Sequence, residues 1–175
     1  AGWELDGPKV VLSLVIGRDV TDAGIYSCGG IVAQEEMSFG GHHIDLGICQ
    51  YLQDKYQIMI GLDQAEKLKS EMISLSQNGG GNTFTVRGRR IRDGVEVVIE
   101  LSTEEMSPVM QHILQPVLAL MKRLLRNATP DMADDLLKQG MLLSGGSAQL
   151  DGLKDWLAFE LGIPVTVPEE PGDVV

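Results

Sequence analysis

Residues 10–37 read VVLSLVIGRDVTDAGIYSCGGIVAQEEM, and the punctuation of this stretch decides the fold. Val10 to Ile16 is a nearly continuous apolar run closed by Gly17, the pattern of a strand buried within a sheet. Thr21 to Cys28 predicts a second strand, and Ile31 to Met37 a third. Gly29-Gly30 stand between these two, and glycines take the positive φ of a tight hairpin turn at no steric cost. The stretch therefore predicts a three-stranded meander.

Outward from the meander, Gly40-Gly41 break the chain and a helix follows, with Ile44, Ile48, Tyr51 and Leu52 on one face. A second helix is written in Asp63 to Ile73, where Asp63 and Glu66 have capping-box spacing. Asn78-Gly-Gly-Gly-Asn82 predicts a loop. Thr83 to Val86 and Val95 to Leu101 predict strands joined by a polar turn at Asp93-Gly94. Ser102 or Thr103 then caps a long amphipathic helix running to about Arg126, kinked where Pro116 removes a backbone donor. A short helix after Pro130 leads to a buried strand, Gly140 to Ser144. Gly145-Gly146 precede a helix from Gln149 to Leu161, and Ile163 to Val167 predict the last strand. This order, with an inserted α-plus-strands piece, indicates an α/β chain built on a mixed sheet with flanking helices.

Composition narrows the function classes. The 175 residues carry a net charge of −11, so nucleic-acid binding would need a local basic patch. Arg87-Gly88-Arg89-Arg90-Ile91-Arg92 is that patch, and a short basic strand of this kind reads as a solvated edge, so no nucleic-acid partner is expected. Cys28 and Cys49 form neither a disulfide framework nor a metal-type spacing, and reduced, buried thiols are expected. No apolar stretch approaches the ~18 residues a membrane span needs. A soluble, cytoplasmic protein without direct membrane insertion is the expectation.

Several segments resemble the bacterial actins of the MreB type: AGWELDGP (1–8), TDAGIYSCGGIV (21–32), FGGHHID (39–45), IGLDQAEKLKSEM (60–72), VRGRRIRDGV (86–95), the helix holding Pro116, and QGMLLSGGSAQLDGL (139–153), continuing through ELGIPVTVPEEP (160–171). They lie in the family's order and at close to its spacing. The resemblance implies an actin-like (ribonuclease H-like) fold of two domains closing on a nucleotide, and places these residues on the second domain. Residues 1–46 and 103–175 would form its nucleotide-side subdomain (IIA), and 47–102 the small inserted α+β subdomain (IIB).

In that family a glycine-rich hairpin reads D-I-G-G-G-T-T, so that backbone N–H groups approach phosphate while the Asp holds hydrated Mg²⁺. Here the matching places read Val15-Ile16-Gly17-Arg18-Asp19-Val20-Thr21. Gly17 and Thr21 fit; Val15, Arg18, Asp19 and Val20 depart from the pattern. Side chains in place of glycine obstruct a phosphate, and Asp19 repels it. Arg18 either pairs with a phosphate or with Asp19, Asp22 or solvent. At the adenosine end, Gly145, Gly146 and Ser147 follow a strand and would lie under the nucleotide, with Glu66 and Lys69 facing ribose and base. Without the family, 144–147 read as a tight packing turn, and Glu66 and Lys69 as a pair on a helix face. His42 and His43, adjacent at a helix start, diverge too far to share a metal and read as a solvated cap. No catalytic or metal-binding set is expected. The cofactor expectation is none, or weak ATP or ADP binding if a first domain is present.

Two functions compete at this level. One is a non-catalytic actin-like module acting by contact with an actin-like filament or its adaptor, self-association included. The other is a piece of a complete filament-forming protein that binds ATP. Sugar kinases and chaperone ATPases share the architecture, but the quoted segments match the MreB type.

Overall fold

Two sheets organise the chain in a computed structural model that describes residues 10–27, 29–71, 75 and 82–168. The larger sheet has the order β3-β2-β1-β7-β8. Strands β1 (Val10–Ile16), β2 (Thr21–Ser27) and β3 (Gly30–Met37) pair antiparallel as the predicted meander. Strands β7 (Met141–Ser144) and β8 (Val165–Thr166) extend it in parallel on the other side of β1. The sheet is therefore mixed, as expected. Leu12, Leu14, Ile16 and Ile25 are fully buried at its centre, each contributing about 1.5–3 kcal/mol by burial.

The hairpin differs from its reading by one residue. Gly30 pairs with Ser27 and opens β3, so only Gly29 (φ +77°) holds a left-handed turn conformation. The register shifts between Ile25 and Tyr26, where a bulge absorbs one residue of β3.

Helix α1 (Gly41–Tyr56) leaves this sheet and leads to the smaller one, ordered β4-β5-β6. Its buried stripe is Gly41, Ile44, Asp45, Ile48 and Leu52. Strand β4 (Ile58–Met59) is too short to leave a sequence signal. Helix α2 is Leu62–Glu71, and Gly61 caps it by accepting from the N–H groups of Gln64 and Ala65. Asp63 thus sits inside the first turn, favourable to the helix dipole, and is not the capping residue. The predicted end at Ile73 and most of the 78–82 loop lie outside the described residues, as does Cys28.

Strand β5 (Thr83–Arg90) runs four residues beyond its predicted end and pairs with β6 (Glu96–Ser102). Arg87-Gly88-Arg89-Arg90 lacks an apolar alternation because Gly88 takes an inward position. A Cβ there would lie 3.0 Å from Ile58 Cδ1. Strand β5 is central in its sheet, and Arg89 is paired on both sides, so this part of the basic run is not a sheet edge.

Pro116 ends a helix instead of kinking one. Helix α3 (Thr103–Ile113) and helix α4 (Gln115–Leu125) are separated by Leu114 (φ −84°, ψ −1°). Without an N–H, and with its ring against the carbonyl four residues back, Pro116 starts a new helix. The Leu114 carbonyl caps that helix, accepting from Val117 and Leu118 N–H. After α5 (Pro130–Gln139), the chain passes through β7 into a 3₁₀ turn, Gly146–Gln149. Helix α6 begins only at Leu153, four residues later than predicted, since Gly152 (φ +73°) lies in a conformation no helix continues. One hydrophobic core runs through all these elements. The expected boundary at 46/47 falls within α1, which is unbroken.

Where the chain enters and leaves the smaller sheet, one carboxylate ties the two crossings together. Glu105 Oε1, in the first turn of α3, accepts from Tyr51 Oη (2.7 Å), Tyr56 Oη (2.7 Å) and Lys55 Nζ (2.9 Å) at the end of α1. Burial pushes the Glu105 carboxyl up, but the hydrogen bonds from Tyr56, Lys55 and Tyr51 outweigh it and leave it lowered. A lowered acid contributes stability above its ordinary value near 4.5, and that stability is lost as pH falls through the folded value. Glu105→Gln should therefore cost about 1–2 kcal/mol at neutral pH, given partial exposure. Denaturant midpoints of wild type and variant should converge well below pH 4.5; a pH-independent difference would count against a charged clamp.

Candidate functional site

The loop at 17–20 is held by the backbone that follows the meander. Gly17 N–H donates to Val20 O (2.9 Å), Gly41 N–H to Gly17 O (2.9 Å) and His42 N–H to Arg18 O (2.8 Å). Two of the N–H groups that a helix start ordinarily offers to an anion are thus occupied by the loop itself. Gly40 makes this approach possible, since a Cβ there would lie 2.5 Å from the carbonyl oxygens of both Gly17 and Arg18.

Beside this junction lies an open cleft of about 730 Å³, within the range of small-molecule sites. Its wall is made by Gly17 and Arg18 of the loop, Gly41, His42 and Asp45 of α1, Asp63, Glu66, Lys67 and Lys69 of α2, and Gly146, Ser147 and Gln149 of the 3₁₀ turn. Five residues singled out in the sequence meet here: Gly17, Glu66, Lys69, Gly146 and Ser147. Arg18 joins them. It is exposed and, among the described residues, forms no ion pair with Asp19 or Asp22.

The others stand elsewhere. Thr21 is fully buried and donates its hydroxyl to Phe39 O (2.7 Å), fastening β2 to the turn before α1. Gly145 (φ +88°) lies behind the cleft, where a Cβ would meet Ile16 O at 2.4 Å; it is the packing turn between β7 and β1. Val15 stays in the ladder between Asp22 and Ser144. Asp19 and Val20 are exposed on the loop beside the cleft. His43 is half-buried, its Nδ1 accepting from Gly40 N–H (3.2 Å) and its ring stacked on Phe39, so the helix start is not the solvated cap expected. His42 lines the cleft.

Lys69 is buried at the cleft floor. Its Nζ lies 2.7 Å from Asp45 Oδ1 and donates to Gly41 O (3.1 Å). Among the described residues, Asp45 Oδ1 makes no other hydrogen bond. Burial raises the Asp45 carboxyl, and the facing Lys69 opposes that shift. The Lys69 ammonium is therefore spent on joining α2 to α1. Sequence reasoning missed Asp45, although it lies one turn from Gly41 and Ile48 on the buried stripe. A carboxylate on an apolar helix face calls for a buried cation, and that pattern would have found it.

The sheet order, the inserted three-stranded piece and the cleft between the loop, helices α1 and α2 and the 3₁₀ turn define an actin-like α/β domain. The MreB/Mbl protein family model matches residues 1–175, and the chain belongs to that family. It is 29 % identical over 175 residues to the cell shape-determining protein Mbl of Bacillus subtilis, covering 100 % of this chain and 53 % of Mbl. It is 32 % identical over 156 residues to the cell shape-determining protein MreB of Escherichia coli K12, covering 89 % and 45 %. Among solved structures, MreB5 of Spiroplasma citri bound to ADP superposes with a TM-score of 0.89 at 27 % identity, over 97 % of this chain and 52 % of that one. A MamK double helical filament shares the fold, with a TM-score of 0.73 at 18 % identity, over 93 % and 50 %. The chain spans about half the length of the relatives it matches. Among the described residues, no helix is long and apolar enough to cross a membrane.

Proposed function

We propose that this chain is the second domain of a cytoplasmic, actin-like cytoskeletal protein that acts by protein–protein contact and not by ATP hydrolysis. It docks on, or assembles within, an actin-like filament, and offers surfaces to other copies or to a filament adaptor. Residues 1–46 with 103–175 form its nucleotide-side subdomain and 47–102 the inserted one. The observation that carries this reading is the loop at 17–20. Its Gly17 N–H is taken by Val20, its Gly17 and Arg18 carbonyls are bonded to α1, and the charged side chains of Arg18 and Asp19 are exposed at positions where the family pattern has glycine.

The same cleft supports weak adenine-nucleotide binding when a first domain faces it. A Cβ on Gly146 would meet nothing within 4 Å, so the fold does not itself require glycine there. A ligand approaching the backbone does require it. Glu66 and Ser147 stand beside it, whereas Lys69 is engaged with Asp45. These residues would hold the adenosine end, and the nucleotide would supply a ligand bridging two domains.

The test uses the whole protein. Wild type should show no ATP turnover above background, yet co-sediment with filaments of an MreB-type partner or of itself. Val15→Asp/Arg18→Gly/Asp19→Gly should tighten Mg-ATP binding about tenfold or more, since two side chains that obstruct a phosphate are removed and a carboxylate for hydrated Mg²⁺ is supplied. Turnover by the wild type at the rate of an ordinary actin-like ATPase would overturn the non-catalytic reading. The second reading, a complete ATP-binding filament former of which this is a part, is favoured by the half-length coverage of the relatives. ATP-dependent polymerisation of the full protein would establish it.

A further inference from the structure

The basic run of β5 has a face that the fold does not use. Four of the chain's 14 Lys and Arg residues fall between positions 87 and 92. Arg90 and Arg92 are paired with Asp93. Arg87 and Arg89 point outward and are exposed, and among the described residues neither has an ion-pair partner. Arg89 lies across from Glu96 and Met59 in the ladder, and Arg87 across from Val98. No ion pair joins Arg89 to Glu96. Met59 and Val98 are 52 % and 58 % exposed, unusual for large apolar side chains in a sheet. A shallow hollow of about 430 Å³ opens beside the two arginines, towards Gly61 and Gln64 at the start of α2.

We propose that this outer face of β5 is a docking surface for an acidic, extended segment of a partner protein. Alternate residues of a strand stand about 7 Å apart on one face. An extended peptide has the same repeat, so carboxylates at its positions i and i+2 can meet Arg87 and Arg89 together, each as a two-pronged guanidinium–carboxylate pair. Met59 and Val98 flank the arginines and cover the aliphatic stems of such a segment. The charge of the chain favours a short segment over a long polyanion. At −11 over these 175 residues, the chain repels a nucleic acid or an anionic membrane. Glu96 and Glu100, exposed on β6, border the face and confine attraction to the two arginines. This surface lies away from the cleft, and the proposal does not rest on the reading of the cleft.

The experiment measures binding of the full-length protein to a fluorescent peptide of alternating Glu and Thr. A Gln-Thr peptide, a single-stranded oligonucleotide and phosphatidylglycerol vesicles serve as comparisons. The acidic peptide should bind, weaken as salt is raised, and lose about tenfold or more in affinity with Arg87→Gln/Arg89→Gln. Arg87→Glu/Arg89→Glu should instead bind a Lys-Thr peptide about tenfold or more tightly than wild type does, and this gain cannot come from misfolding. Equal binding of the acidic and Gln-Thr peptides, or binding unaffected by both double variants, would overturn the proposal. Preference for oligonucleotide or vesicle, lost in the same variants, would overturn it in favour of a general polyanion surface. Loss of self-assembly by the glutamine variant, without any peptide binding in the wild type, would reassign the face to a second copy of the chain.

Discussion

Replacing Lys69 with methionine should destabilise the protein by about 3–5 kcal/mol, the cost of stranding one partner of a buried ion pair. Methionine fills most of the space of the lysine stem, so packing is largely kept and the loss is electrostatic. Asp45 would remain with its side chain 8 % exposed and its Lys69 partner gone. The carbonyl of Gly41 would lose a donor at the same time. The measurement is the shift of a denaturant midpoint at unchanged slope. Its pH dependence separates this mechanism from simple repacking. The Asp45 carboxyl is already raised by burial, and without Lys69 it should rise further. An acid raised in the folded state costs stability while ionised, and that cost is relieved as pH falls through the folded value. The deficit of Lys69→Met should therefore shrink on acidification, and Lys69→Met/Asp45→Asn should recover most of it at neutral pH. A neutral-pH deficit below about 1 kcal/mol would mean that solvent reaches the pair and that it behaves as a surface bridge.

Gly40→Ala should cost about 3 kcal/mol and loosen the phosphate-side loop. The new Cβ would sit 2.5 Å from two carbonyl oxygens, Gly17 and Arg18, and neither belongs to a side chain able to rotate away. The loop must withdraw from α1, which breaks the bonds from Gly41 N–H and His42 N–H. Overpacking of about 1–3 kcal/mol and two weakened hydrogen bonds add to the stated cost. Amide exchange localises the effect, because Gly41 and His42 should exchange faster than the amides of β1. Gly146→Ala is the matched control: with open space before it, it should change stability by less than about 0.5 kcal/mol. Equal costs at the two glycines would show that the loop–helix contact is not as tight as described.

Much of this architecture is written in local pattern. Strands β1 to β3 and helices α1 and α2 follow from apolar periodicity and glycine placement, which are properties of neighbouring residues. Errors cluster where a neighbour distant in sequence decides. Strand β5 continues through Arg87 to Arg90 because Gly88 has Ile58 against it, a contact across 30 positions that no window along the chain can see. Pro116 is plain in the sequence, but whether it bends or divides a helix depends on what receives Leu114, which is fully buried.

The candidate site shows the same division. Gly17, Gly146, Ser147 and Glu66 line one cleft, and it is the resemblance to the MreB type that singles them out; without it, 144–147 read as a packing turn and Glu66 as one of a pair on a helix face. Thr21 and Lys69 could not be placed, because a hydroxyl or an ammonium serves whatever lies within about 3 Å of it. Tertiary structure supplies that neighbour: the Phe39 carbonyl for Thr21, Asp45 and the Gly41 carbonyl for Lys69. Sequence by itself determined the α/β class, the meander and the family, because periodicity, turn chemistry and motif order are local and additive. Only the tertiary structure decided which polar groups face a ligand and which are consumed by the fold, because buried polar groups bind whichever partner the packing brings to them.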